Sequence, residues 1–181
     1  DFHMCICLCD RVLEENMKPL DLQIVDAINE FRASPTRKSE ELMDIKGSAD
    51  FNKSIEELVV KFTYLQNLQK LTRDECLDDV AKNIYEKIVA GELTGCNSES
   101  EIHEIASNTI HNFNRMHCYY VKNVYTCKDI IKLCLANTKE NLPTLVNARK
   151  MLYGKNMKFM GIHFQGAGEK NNSMVLCACD E

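Results

Sequence analysis

The sequence predicts an α/β domain in which an antiparallel sheet is layered by helices. Three observations carry that prediction. A chain of 181 residues is long enough to bury one sizeable core, apolar residues recur at helical spacing through its middle, and two-residue alternation marks its ends. A hydrophobic fraction of 45% beside 27% charged residues is ordinary for a soluble globular chain. No repeat, low-complexity tract or Pro/Gly-rich linker divides the sequence, so residues 1–181 are read as one domain.

The first element is a strand over Phe2–Cys9, added at residues 1–10, along which Cys5, Cys7 and Cys9 share one face. Leu22, Val25, Ile28 and Phe31 then place an amphipathic helix over Leu20–Phe31, with Pro35 just past its end. Residues 33–70 read as a helical insertion. Within it Ile55, Leu58, Val59, Phe62, Leu65 and Leu68 carry a helical period from Ile55 to Leu71. Thr72-x-x-Glu75 has the form of a capping box and is expected to open a helix bearing Leu77, Val80, Ala81, Ile84 and Ile88, stopped near Gly91.

Ser98-x-x-Glu101 repeats that signature before Ile102, Ile105 and Ile110. Tyr, Val and Cys dominate Cys118–Tyr125, which reads as extended. Helices are expected at Lys128–Ala136 and Thr144–Tyr153, the second ended by Gly154. Phe159–Phe164 and Met174–Cys179 flank Gly166-Ala167-Gly168 and Asn171-Asn172, the pattern of a hairpin. Strands at both ends with helices between suit an antiparallel sheet covered by helices, not a βαβ alternation. The N-terminal strand is in position to pair with the C-terminal hairpin.

Charge and hydropathy exclude some functions. A net charge of −5 argues against a nucleic-acid partner, which calls for a basic face. No apolar run approaches the roughly 20 residues of a membrane helix, so no transmembrane segment is expected. The first residue is Asp1, which leaves a processed, trimmed or incomplete N-terminus open, and a removed signal peptide would leave no trace.

Ten cysteines are many for this length. Cysteines two apart on one strand bridge each other badly, which is not the layout of a small disulfide-stapled domain. The favoured reading is small buried side chains in a reducing compartment. Cross-strand disulfides in a secreted protein are the alternative. A thiolate metal site from Cys5, Cys7, Cys177 and Cys179 is the weakest reading, because zinc sites usually space their cysteines by two to four residues. His3, His103, His111, His117 and His163 show no H-E-x-x-H spacing, and no nucleophile signature frames a cysteine.

Four short motifs stand in order. They are Asn29-Glu30-Phe31-Arg32 with Pro35, the stretch Leu71-Thr72-Arg73-Asp74-Glu75-Cys76-Leu77-Asp78-Asp79-Val80-Ala81, Val121-Lys122-Asn123-Val124, and Asn147-Ala148-Arg149-Lys150-Met151-Leu152 followed by Met160-Gly161-Ile162. Together they resemble the CAP (SCP/TAPS) superfamily, over most of Leu22–Cys179. The resemblance implies a three-layer α/β/α sandwich around a mainly antiparallel sheet. The Ala33–Lys70 insertion is similar to versions of the domain in bacteria and single-celled eukaryotes.

The resemblance also implies a central cavity, which in the family often carries two histidines and two acids and can hold a divalent metal. Here Gly91-Glu92-Leu93-Thr94 is followed by Gly95 where the pattern has its first histidine. Ala148 stands before Arg149 where it has the second, and Lys122, before Asn123, replaces its acid. Glycine and alanine neither ligate zinc nor shuttle protons. Gly95, Lys122, Asn123, Ala148 and Arg149 are therefore expected to line a degenerate cavity with no catalytic residue, no metal and no cofactor.

The function expected is a non-enzymatic scaffold that docks on a protein partner, within a larger intracellular assembly such as a cytoskeletal or ciliary one. The alternative is a secreted binder of a sterol or other lipid ligand. Cytoplasmic placement is slightly favoured on the thiols, and the Asn52-Lys53-Ser54 sequon is too little to decide otherwise.

Overall fold

The computed structural model describes residues 19–43, 49–62, 64–65, 68–96, 98–110, 112–122, 153–165 and 173–179. Helix α1 (Leu20–Ala33) buries Ile24, Val25, Ile28 and Phe31, which recur three and four apart and form one apolar stripe. It ends where the Ser34 N–H bonds the Glu30 carbonyl. Pro35 then opens α2 (Pro35–Met43), where the missing N–H of a proline costs nothing.

Helix α3 (Ala49–Phe62) stops short of the expected reach to Leu71. The apolar period beyond Phe62 is set by tertiary burial instead. Leu65 packs on the core, the Leu68 N–H bonds the Arg32 carbonyl at 2.9 Å, and Leu71 is buried in non-helical backbone. Leu71 leads into β1 (Thr72–Arg73), a two-residue strand. Thr72 N–H donates to the Lys158 carbonyl and Asp74 N–H to the Met160 carbonyl, both at 2.9 Å.

That pairing corrects the expected capping box. Thr72 lies in the strand, and Asp74 caps α4 (Glu75–Val89) by accepting from the N–H groups of Cys76 and Leu77 at 2.8 and 3.2 Å. Gly91, at φ 78°, ends α4 as expected. Its N–H bonds the Ile88 carbonyl while that of Glu92 bonds the Lys87 carbonyl, the two bonds of a Schellman motif. Helix α5 (Glu99–Ser107) has Ser98 as its cap, accepting from the Glu101 N–H at 3.4 Å.

Strands β2 (Met116–Lys122), β3 (Phe159–Gln165) and β4 (Ser173–Cys179) complete a sheet that is mixed and, among the described residues, four-stranded, in the order β1-β3-β4-β2. β4 runs antiparallel to both neighbours, and the short β1 is parallel to β3. The fold is α/β. β4 is buried at all seven positions, which explains its unbroken apolar run.

Successive strand residues go to two different clusters. Tyr119, Val121, Met160, Ile162, Met174, Leu176 and Ala178 join the stripe of α1. Met116, Cys118, Val175, Cys177 and Cys179 join Leu77, Val80, Ala81 and Ile84 of α4 with Ile102 and Ile105 of α5. A Cβ on Gly161 would overlap the Leu77 and Asp78 backbone, so α4 lies directly against β3 there. Asp78 Oδ1 takes the Ile162 N–H at 2.9 Å across the same contact.

The expected strand Phe2–Cys9, residues 123–125, the helix Lys128–Ala136 and all but the last residue of Thr144–Tyr153 lie outside the described residues. None of the helices described is long and apolar enough to cross a membrane.

Candidate functional site

Of the residues expected to line a degenerate cavity, Gly95 and Lys122 are described; Asn123, Ala148 and Arg149 lie outside the described residues. Gly95 is half-buried in the bend after α4, between the buried Leu93 and Cys96. Lys122 is exposed at the end of β2, opposite Ser173, with Nζ 5.9 Å from the Tyr120 ring centroid.

That end of the sheet gathers polar groups that sequence spacing had not singled out. Ser173 Oγ donates to Tyr85 Oη at 3.2 Å, joining β4 to α4. The Tyr85 ring lies 5.0 Å from the imidazole of His163 on β3. Burial lowers the His163 pKa, and Lys82 adds to the effect, while Glu86 and Asp78 oppose it. Burial raises the Tyr120 pKa, with Tyr85 and Cys96 contributing. Two phenols, one hydroxyl and an imidazole thus gather where α4 packs on the sheet, with Lys122 exposed at the end of β2. Period-two alternation along Phe159–Phe164 was the signal available for placing His163 on the α4 side.

The thiols form a second group. Cys118 Sγ and Cys177 Sγ are 2.7 Å apart, on directly opposed residues of β2 and β4. Burial, then Cys177, pushes the Cys118 thiol well up, and burial with the nearby Cys177 pushes Cys96 up as well. Cys177 and Cys179 share one strand face as the sequence predicts, while Cys5 and Cys7 lie outside the described residues. Among the described residues, no three of His, Cys, Asp and Glu are placed to hold a metal ion.

His103 and His117 line one open cleft of about 530 Å³ with Glu99 and Arg115, while His111 lies outside the described residues. Cys76 and Cys179 meet at another, of about 400 Å³, beside Asp74 and Phe159.

No family model matches the chain, and no curated protein matches it. Among solved structures the chain is similar to an outer surface protein from Borrelia burgdorferi. The identity is 14% over 76% of this chain and 99% of that chain, with a TM-score of 0.48. Likeness at that level leaves the family resemblance to rest on the residues themselves.

Proposed function

We propose that this chain is a CAP-like domain, a three-layer α/β/α sandwich that works as a non-enzymatic scaffold docking on a protein partner. The observation that carries the reading is the pair Gly95 and Lys122. Where the resemblance implies an imidazole and a carboxylate, one residue has no side chain and the other presents an exposed cation. Neither is among the Cys, His, Asp and Glu side chains that zinc sites use.

Support for the resemblance comes from what its motif residues do. Asn29 and Arg32 bind distant backbone, and Gly161 lets α4 lie directly against β3. Support for a layered sandwich comes from the separate clusters that α1 and α4 form with alternate strand residues. A core retained around a site without its chemistry leaves the surface as the working part, since function sits in sites carried by folds.

The test is native isolation of the full chain from its source cell, followed by sizing and cross-linking mass spectrometry. The expected result is a stoichiometric complex with another protein. Recovery of monomer alone ends the scaffold reading, and monomer carrying solvent-extractable lipid replaces it with ligand binding.

A further inference from the structure

We infer that Cys118 and Cys177 are the site of a cross-strand disulfide that links β2 to β4 when the chain folds in the presence of a low-molecular-weight disulfide. The inference stands apart from the scaffold reading and draws on a different part of the molecule.

Register supplies the first argument. Cys118 and Cys177 are direct partners in the antiparallel ladder. Opposed residues in such a ladder have Cα atoms about 4.5–5.5 Å apart. That span lies within the roughly 4.4–6.8 Å a disulfide needs. Side-chain direction supplies the second: both sulfurs point into the cluster under α4 and α5 and approach each other to 2.7 Å.

The remaining neighbours define the pair further. Cys177 faces Gly161 on β3, so its cysteine partner across the sheet is Cys118. Cys179 is opposed by Met116 and Phe159, neither of which carries a thiol. Cys96 is buried beside Cys177 but belongs to the bend between α4 and α5, outside the ladder.

The chemistry is thiol–disulfide exchange. One protein thiolate attacks a sulfur of the disulfide RSSR, forms a mixed disulfide and expels RS⁻, which takes up a proton. The second thiolate attacks the protein sulfur of that mixed disulfide, closes the Cys118–Cys177 bond and expels the second RS⁻. Two protein thiols are oxidised to one disulfide, and RSSR is reduced to two RSH. Both cysteines are wholly buried once the strands pair, which excludes RSSR and disfavours the attacking thiolate. Exchange therefore precedes closure of the sheet, and the finished bond is shielded from reductant.

The experiment starts from the full chain, unfolded and reduced, and refolds it in a buffer of oxidised and reduced glutathione. Remaining thiols are alkylated in acid-quenched samples before tryptic digestion and mass spectrometry. Cleavage at Arg115, Lys122 and Lys170 releases peptide 116–122 with Cys118 and peptide 171–181 with Cys177 and Cys179. The expected product is these two peptides joined, with fragmentation assigning the bond to Cys177. Cys118→Ser should leave Cys177 alkylated, and Cys177→Ser should leave Cys118 alkylated.

Recovery of either residue alkylated from folded wild-type protein overturns the inference, as does a bond from either one to any other cysteine. Secretion of the full chain into an oxidising bacterial periplasm reads the same peptide pair without a refolding step, so poor refolding does not block the answer.

Discussion

The side-chain amide of Asn29 pairs with the backbone of Leu71 in both directions, accepting its N–H at 2.8 Å and donating to its carbonyl at 3.1 Å. Asn29 thus stands in for a strand neighbour at the point where the chain enters β1. Three positions on, Arg32 donates to the carbonyls of Gln69 at 2.7 Å, Gly154 at 3.0 Å and Met157 at 3.4 Å. Residues i and i+3 share a helix face, so a single turn of α1 fastens both the entry to β1 and the approach to β3. Arg32 is fully buried, and desolvation lowers its pKa to about 10, which still leaves it charged at neutral pH.

Arg32→Leu should therefore cost stability well beyond a surface change. The three carbonyls lose a charged donor, worth about 1.5–3 kcal/mol for a bond to a charged group. The buried Met157 acceptor is left unpaired at about 1–3 kcal/mol, while those of Gln69 and Gly154 are only partly buried. A total loss of about 3 kcal/mol or more is expected, seen as a lower urea midpoint at unchanged m-value. Arg32→Lys should recover only part of it, because an ammonium cannot reproduce the guanidinium fork. A loss below about 1 kcal/mol for the leucine variant would mean that the fastening is dispensable.

Much of the fold was legible because periodicity reports burial directly. Ile24 to Phe31, Leu77 to Ile84 and the hairpin strands all lie where their spacing put them. What was not legible was set by partners remote in sequence. β1 is only two residues long and exists because Lys158 and Met160 offer it carbonyls. Leu65 and Leu71 continue a helical rhythm yet are held by the core and by Asn29. Gly95 and Lys122 are expected at a cavity only through the family resemblance, not through any local pattern. Tyr85, His163 and Ser173 meet only when α4 crosses β3 and β4, a contact that no local pattern encodes.

The contact at Gly161 can be probed with a single methyl group. Its Cβ would collide with backbone atoms of Leu77 and Asp78, which no rotamer change relieves. Gly161→Ala should push α4 off β3, stretch the Asp78–Ile162 hydrogen bond and cost about 3 kcal/mol or more. The expected readout is a thermal midpoint lowered by at least about 5 °C, and a midpoint within about 1 °C of wild type would show that the helix yields freely.

The start of α4 separates two capping assignments. Asp74 accepts from two otherwise orphaned N–H groups, whereas Thr72 lies in β1 with an exposed side chain. Asp74→Ala should destabilise by about 1 kcal/mol. Thr72→Ala should stay within about 0.5 kcal/mol. Chemical denaturation of the two variants side by side distinguishes them, and a larger loss at Thr72 would restore the threonine as the cap.

His163 should make stability depend on mild acid. Its pKa in the folded chain lies below the ordinary histidine value, first through burial and then through Lys82, against weaker opposition from Glu86 and Asp78. The unfolded chain titrates near the ordinary value of about 6.5. As pH falls below that value, the unfolded chain takes up a proton before the folded one does, so stability drops with pH. The drop continues until the folded imidazole titrates and then levels off. Above about pH 6.5 both states are neutral at this position and the dependence vanishes. His163→Gln should flatten this part of the profile in urea midpoints taken from pH 7 down to 5, once other groups are matched by the wild-type baseline. NMR titration of the imidazole gives the direct check, and a midpoint at or above the ordinary histidine value would remove the basis for the effect.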